Sequence, residues 1–216
     1  MMCLLQIEPT TFRTWLRILD QVPKAVLWLL RFPEPGEQYL KATAQSWAGA
    51  EVADRLIFTD VAPKSQHISR ARVCDLFLYT PECNAHTTAA DVLWSSTPLL
   101  TLPRYSYKMC ARMAASILRG ALPKDADGEK AARDLIASDE EQYEHVAVSL
   151  ASGLEYDVTA GIGYGKGQLA DLRRLLWDNK WTCGLFDTRR WVSEVESAYE
   201  EAWRRWVAGE KGDIFL

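Results

Sequence analysis

Two short stretches hold the residues with the most chemistry to offer. The first is Val61-Ala62-Pro63-Lys64-Ser65-Gln66-His67, and the second is Thr80-Pro81-Glu82-Cys83-Asn84-Ala85-His86-Thr87-Thr88-Ala89-Ala90-Asp91. In the second, His86, Thr87 and Thr88 open a helix, where exposed backbone N–H groups and the helix dipole favour an anion and two hydroxyls add donors. Asp91 lies three residues beyond Thr88 on the same face, where a carboxylate can accept hydrogen bonds from sugar hydroxyls. Plainer readings stand beside these. Thr87 or Thr88 can serve as a helix N-cap, His67 as a surface histidine and Lys64 as a solvated cation. Cys83-x-x-His86 has half the spacing of a metal site but lacks a second ligand pair. The glycines at 161, 163, 165 and 167 form no phosphate loop, because no strand is expected before them and no Gly-Lys-Ser/Thr closes them.

Both stretches follow short apolar runs bounded by turn residues, which read as buried strands. Strands are expected over Ala25–Leu30, Arg55–Phe58, Asp75–Tyr79 and Pro98–Leu102. Helices are expected over 36–48, from Pro63, and over His86–Trp94. Ahead of them, Thr10 or Thr11 caps a helix with Phe12, Trp15, Leu16 and Leu19 on one face. Alternating strands and helices, with strands that are continuously apolar, imply a Rossmann-like, doubly wound parallel α/β sheet. Ligands bind such sheets at the carboxyl ends of the strands, where both stretches fall. Farther along, 119–130 reads as a loop, Arg133–Ala137 as one more short strand, and the glycine run as a flexible turn. Helices are expected over Glu140–Tyr156, Leu169–Trp177 and Arg190–Val207. Residues 1–137 therefore form the sheet-based core and 138–216 a helical C-terminal part of the same lobe.

Composition narrows the function classes. The 216 residues are 48% hydrophobic and 25% charged, an ordinary globular mix. A net charge of -4 argues against a nucleic-acid-binding surface. Five scattered cysteines with no C-x-x-C pair read as thiols of a reducing compartment. The longest apolar run, Ala25–Leu30, is far short of the ~20 residues that span a bilayer. A cytoplasmic or nuclear protein is expected. Nine tryptophans are read as core packing.

The spacing Val61-Ala62-Pro63-Lys64-x-x-His67, followed by Asp75-x-x-Leu78-x-Thr80-Pro81-x-Cys83-Asn84-x-His86-Thr87-Thr88-x-x-Asp91-Val92-Leu93-Trp94, closely resembles the protein O-GlcNAc transferase family. So do Val26-Leu27-Trp28-Leu29-Leu30-Arg31-Phe32-Pro33, Arg112-x-Ala114-Ala115-Ser116, Leu185-Phe186-Asp187-Thr188 and Trp203-x-x-x-Val207-Ala208-Gly209-x-Lys211. The resemblance implies the C-terminal, donor-binding lobe of a two-lobed GT-B glycosyltransferase. Such an enzyme uses UDP-GlcNAc without metal or other cofactor and acts on Ser or Thr hydroxyls of proteins. Carried over, Ala62 recognises uracil through its backbone within the Ala62-Pro63-Lys64 turn, with His67 beside it and Lys64 near the ribose. His86, Thr87 and Thr88 cradle the pyrophosphate, Asp91 binds ribose hydroxyls, and Cys83 and Asn84 lie near the sugar.

The chain departs from that family in three ways. The tetratricopeptide array and the N-terminal catalytic lobe, which shape the acceptor site, are absent. Gln6 stands where the family has a pyrophosphate-contacting lysine, and Cys3 where it has a glutamine. The stretches at 119–130 and around the glycine run look like insertions relative to the animal enzymes, which suggests a fungal-type branch. The resemblance therefore implies a chain inactive by itself. The alternative is a UDP-sugar-binding or scaffold module without catalysis of its own.

Overall fold

The computed structural model describes residues 7–83, 86–159 and 162–214. Its first half alternates as the apolar runs require. Helix α1 (Pro9–Gln21) leads to β1 (Leu27–Leu30), α2 (Gly36–Ala48), α3 (Ala50–Ala53), β2 (Leu56–Thr59) and α4 (Lys64–Ala71). Then come β3 (Phe77–Leu78), α5 (Thr87–Trp94), β4 (Leu99–Leu100), α6 (Met109–Ala121) and α7 (Ala126–Leu135). Glu8, not a threonine, is the N-cap of α1, because Pro9 fills the first helical turn, where its missing N–H costs nothing.

Strands β1 and β2 pair in parallel, with Leu29 opposite Phe58, and β3 and β4 pair in parallel, with Phe77 opposite Leu99. Neighbouring residues of a strand point to opposite faces, and the core divides accordingly. Phe77 and Leu99 pack with α5, α6, α7 and α9 (Gln168–Asn179). Leu78 and Leu100 pack instead with α1, β1, β2 and α8 (Glu140–Ser152). Helices thus cover both faces of the second pair, which is the doubly wound arrangement. The first pair is different. Leu29, Leu56 and Phe58 are buried, yet Ile57 is 44% exposed, so this pair is covered on one face rather than both.

Four expectations for the second half change. The expected loop at 119–130 holds the end of α6 and the first half of α7, which is capped by the Asp125 carboxylate accepting from Gly128 N–H at 2.9 Å. Gly128 serves close approach here, since a Cβ would collide with the Pro123 carbonyl oxygen. The expected strand at 133–137 shrinks to one parallel bridge, Thr101 to Ile136, because α7 runs to Leu135. The helix expected to reach Tyr156 ends at Ser152. Beyond it β5 (Glu155–Thr159) pairs antiparallel with β6 (Ile162–Lys166), so the glycine run is a strand with another strand before it. The tryptophans mostly do not pack the core. Trp15 is buried, but Trp47, Trp177, Trp181, Trp191, Trp203 and Trp206 are exposed, the last three on α10 (Thr188–Ala208), which buries no residue.

Candidate functional site

The β2–α4 and β3–α5 turns, which carry the two stretches, meet through their helices. Pro63 is the N-cap of α4, so the helix begins one residue later than the expected start at Pro63. One turn in, His67 Nε2 lies 3.9 Å from Asp91 Oδ2 of α5, both side chains more than four-fifths buried. Ser95 reinforces the contact by donating to the Ile68 carbonyl at 2.7 Å, and Thr97 donates to the Ala71 carbonyl at 2.6 Å.

At the entry to α5, His86 is the N-cap residue, its side chain caps nothing, and Thr87 and Thr88 are the first two helical residues. The plain N-cap reading of the two threonines is therefore not what the helix shows. Thr87 and His86 are exposed and Thr88 is half-buried, so the first N–H groups of the helix and two hydroxyls share an open surface. Around the first stretch, Ala62 is half-buried while Pro63 and Lys64 are exposed. Cys83 is exposed on the segment before α5. Cys3, Gln6 and Asn84 lie outside the described residues.

Charge next to this surface is largely committed. Glu82 accepts from the Tyr105 hydroxyl at 2.6 Å and from Lys108 Nζ at 2.9 Å, with Arg104 3.9 Å away. These donors hold the Glu82 carboxyl below the usual carboxylate range, the Tyr105 hydrogen bond most of all. Arg104 also pairs with Glu8 at 2.8 Å and Glu140 at 2.7 Å. The segment before α5 is thereby pinned to the loop before α6. Deeper in, Tyr143 donates to the Tyr79 carbonyl at 3.0 Å and accepts from Trp15 Nε1 at 3.2 Å, fixing the end of β3. Sequence reasoning missed Tyr105 and Lys108, which sit far along the chain and carry no motif, and it placed Tyr143 on the apolar face of its helix without its link to β3. A cleft of about 620 Å³, lined in part by Arg72, Asp75, Ser96, Tyr156, Arg173 and Trp177, does not include the candidate residues.

Burial lowers the pKa of His67, opposed by the nearby Asp91 charge. Its ring at neutral pH is thus the neutral form, one donor and one acceptor. By nuclear magnetic resonance, His67 should titrate below the ordinary histidine value, and Asp91→Asn should lower it further. The unfolded chain binds this proton more readily. Stability is therefore retained above pH ~6.5 and lost as pH falls through the lower folded value. His67→Gln should flatten that part of the stability profile, and an unchanged profile would show that this ring is not the titrating group.

The sequence model described as glycosyl transferase family 41 matches residues 2–195. The chain belongs to glycosyl transferase family 41. Within that family it is 39% identical over 212 residues, 98% of its own length, to a probable UDP-N-acetylglucosamine–peptide N-acetylglucosaminyltransferase, SEC, of Arabidopsis thaliana. It is 32% identical over 207 residues, 95% of its length, to the UDP-N-acetylglucosamine–peptide N-acetylglucosaminyltransferase of Caenorhabditis elegans. The chain spans only 19% and 16% of those two relatives. Its fold matches a solved O-GlcNAc transferase mutant, K341M, of Thermobaculum terrenum with a TM-score of 0.74, at 24% identity, over 92% of this chain and 34% of that one. The family 41 chain therefore has the α/β fold expected of one GT-B lobe, and no described helix is long and apolar enough to cross a membrane.

Proposed function

We propose that this family 41 chain is the donor-binding lobe of an inverting, metal-independent protein O-GlcNAc transferase, holding UDP-GlcNAc for attack by a Ser or Thr hydroxyl. The observation that carries this reading is the approach of His67 to Asp91, which joins the two strand-end stretches at one surface. The backbone of Ala62 and the neutral ring of His67 would receive uracil, with Pro63 holding the turn. Lys64 would lie near the ribose, whose hydroxyls would donate to Asp91. His86, Thr87, Thr88 and the helix N–H groups would receive the pyrophosphate, with Cys83 and Asn84 toward the sugar. Departure of UDP builds negative charge on the β-phosphate, and fixed N–H and O–H donors can stabilise that charge without reorganising. Protein acceptors would be presented by the N-terminal lobe and tetratricopeptide array that such transferases carry.

Calorimetric titration of the chain with UDP and with ADP tests the reading. UDP should bind more tightly, because a site built around uracil hydrogen bonds leaves polar groups unpaired against adenine. Equal affinities would overturn the assignment. Gln6→Lys gives a second measure. Glutamine can donate a hydrogen bond but brings no charge to the phosphates. A lysine there should tighten UDP binding by roughly tenfold at low salt, and the gain should shrink as salt rises. Unchanged affinity at low salt would remove Gln6 from the site.

A further inference from the structure

Cys83 and Cys110 come from different parts of the fold, the segment leading into α5 and the first turn of α6, yet their thiols lie within hydrogen-bonding reach of each other. Cys110 Sγ is also 3.8 Å from the carbonyl oxygen of Glu82, in the peptide that continues into Cys83. Cys83 is exposed and Cys110 half-buried. The backbone on both sides is already held in register, because Tyr105 and Lys108, just ahead of α6, bind the Glu82 carboxylate. Thr80 further fixes the turn by donating to the Cys83 carbonyl at 3.0 Å. A disulfide bond between them requires the two sulfurs to close to ~2.05 Å.

We propose that Cys83 and Cys110 are a redox-active pair that closes to a disulfide and clamps the approach to α5 onto α6. With a low-molecular-weight disulfide such as oxidised glutathione, the accessible Cys83 thiolate attacks one glutathione sulfur and expels a glutathione thiolate. The Cys110 thiolate then attacks the Cys83 sulfur of the mixed disulfide and expels the second. Two protein thiols are oxidised and one glutathione disulfide is reduced, and the two protons lost by the protein thiols end on the two glutathione thiolates, giving two glutathione thiols. Desolvation, with the neighbouring Cys110, holds the Cys83 thiol above the ordinary range. The first step should therefore speed up by about tenfold per pH unit through the neutral and mildly alkaline range. His86, Thr87 and Thr88 come next after Asn84 and Ala85, so the clamp would tether the chain that leads into that helix N-terminus.

The test treats the 216-residue chain with oxidised glutathione and maps its peptides without reduction. The expected product is a Cys83–Cys110 cross-linked peptide with no glutathione retained on either residue, and an oxidised chain that melts at least about 3 °C higher than the reduced one. Cys110→Ser should instead trap glutathione on Cys83. Stable glutathione on Cys83 of the native chain would overturn the proposal, as would a Cys83 that stays reduced in both proteins. None of these readouts uses a nucleotide, so they stand or fall separately from the donor-lobe reading.

Discussion

The chain by itself should transfer no measurable sugar from UDP-GlcNAc to a Ser- or Thr-containing peptide, even while it binds UDP. Every residue named in the proposed donor-lobe reading (the turn at Ala62 to Lys64, His67, the entrance of α5, and Asp91) has a donor-side role there, and none is proposed for the acceptor. An inverting displacement needs an acceptor hydroxyl held in line with the departing UDP. Positioning of that kind accounts for roughly 7–11 kcal/mol of barrier reduction in well-oriented reactions. Its loss corresponds to at least about a hundred-thousandfold in rate. The chain spans about a fifth or less of the length of its curated relatives, which leaves ample sequence in them to supply acceptor-side groups. The measurement is mass spectrometry of a peptide after prolonged incubation, with UDP calorimetry on the same sample to show that the chain is folded. Robust peptide glycosylation would mean that this lobe carries an acceptor site and a base of its own.

What the sequence disclosed follows from how local each signal was. The strands from Leu27, Leu56 and Leu99 are short apolar runs between turn residues, and α2 falls on the expected 36–48 because its caps and periodicity are local. Positions governed by distant contacts were not legible. Glycine is a weak strand former, yet Gly163 and Gly165 lie in β6 because pairing with Val158 and Tyr156 of β5 decides the matter. Gly128 lies inside α7 because the Pro123 carbonyl leaves no room for a Cβ, a constraint invisible in a Lys-Asp-Ala-Asp-Gly string. The same division runs through the site. The residue types at Thr87, Thr88 and Asp91 suggested anion and sugar binding and the family resemblance added His67, but that His67 reaches Asp91 depends on α4 packing against α5. The pinning of Glu82 by Tyr105 and Lys108 likewise depends on a loop more than twenty residues away.

Replacing both Thr87 and Thr88 with alanine should produce the largest loss of nucleotide affinity among single-site changes and pairs in the chain. Both threonines open α5, whose N-cap residue His86 makes no side-chain cap, so an anion bound there would find donors already in place. A hydrogen bond to a charged partner contributes roughly 1.5–3 kcal/mol, which is about 10- to 150-fold in affinity for each hydroxyl that contacts phosphate. The two contacts share one ligand group, so their effects need not add. Because the phosphates are common to UDP and ADP, this double variant should weaken both and leave their ratio nearly unchanged. His67→Ala should behave in the opposite way. The neutral imidazole makes ordinary hydrogen bonds of about 0.5–1.5 kcal/mol, so UDP should weaken only a fewfold, but its advantage over ADP should shrink. Titrating both nucleotides into both variants therefore separates phosphate recognition from base recognition. A Thr87/Thr88 variant that binds UDP as tightly as the native chain would place the pyrophosphate elsewhere. A His67 variant with undiminished selectivity would move uracil away from the α4 turn.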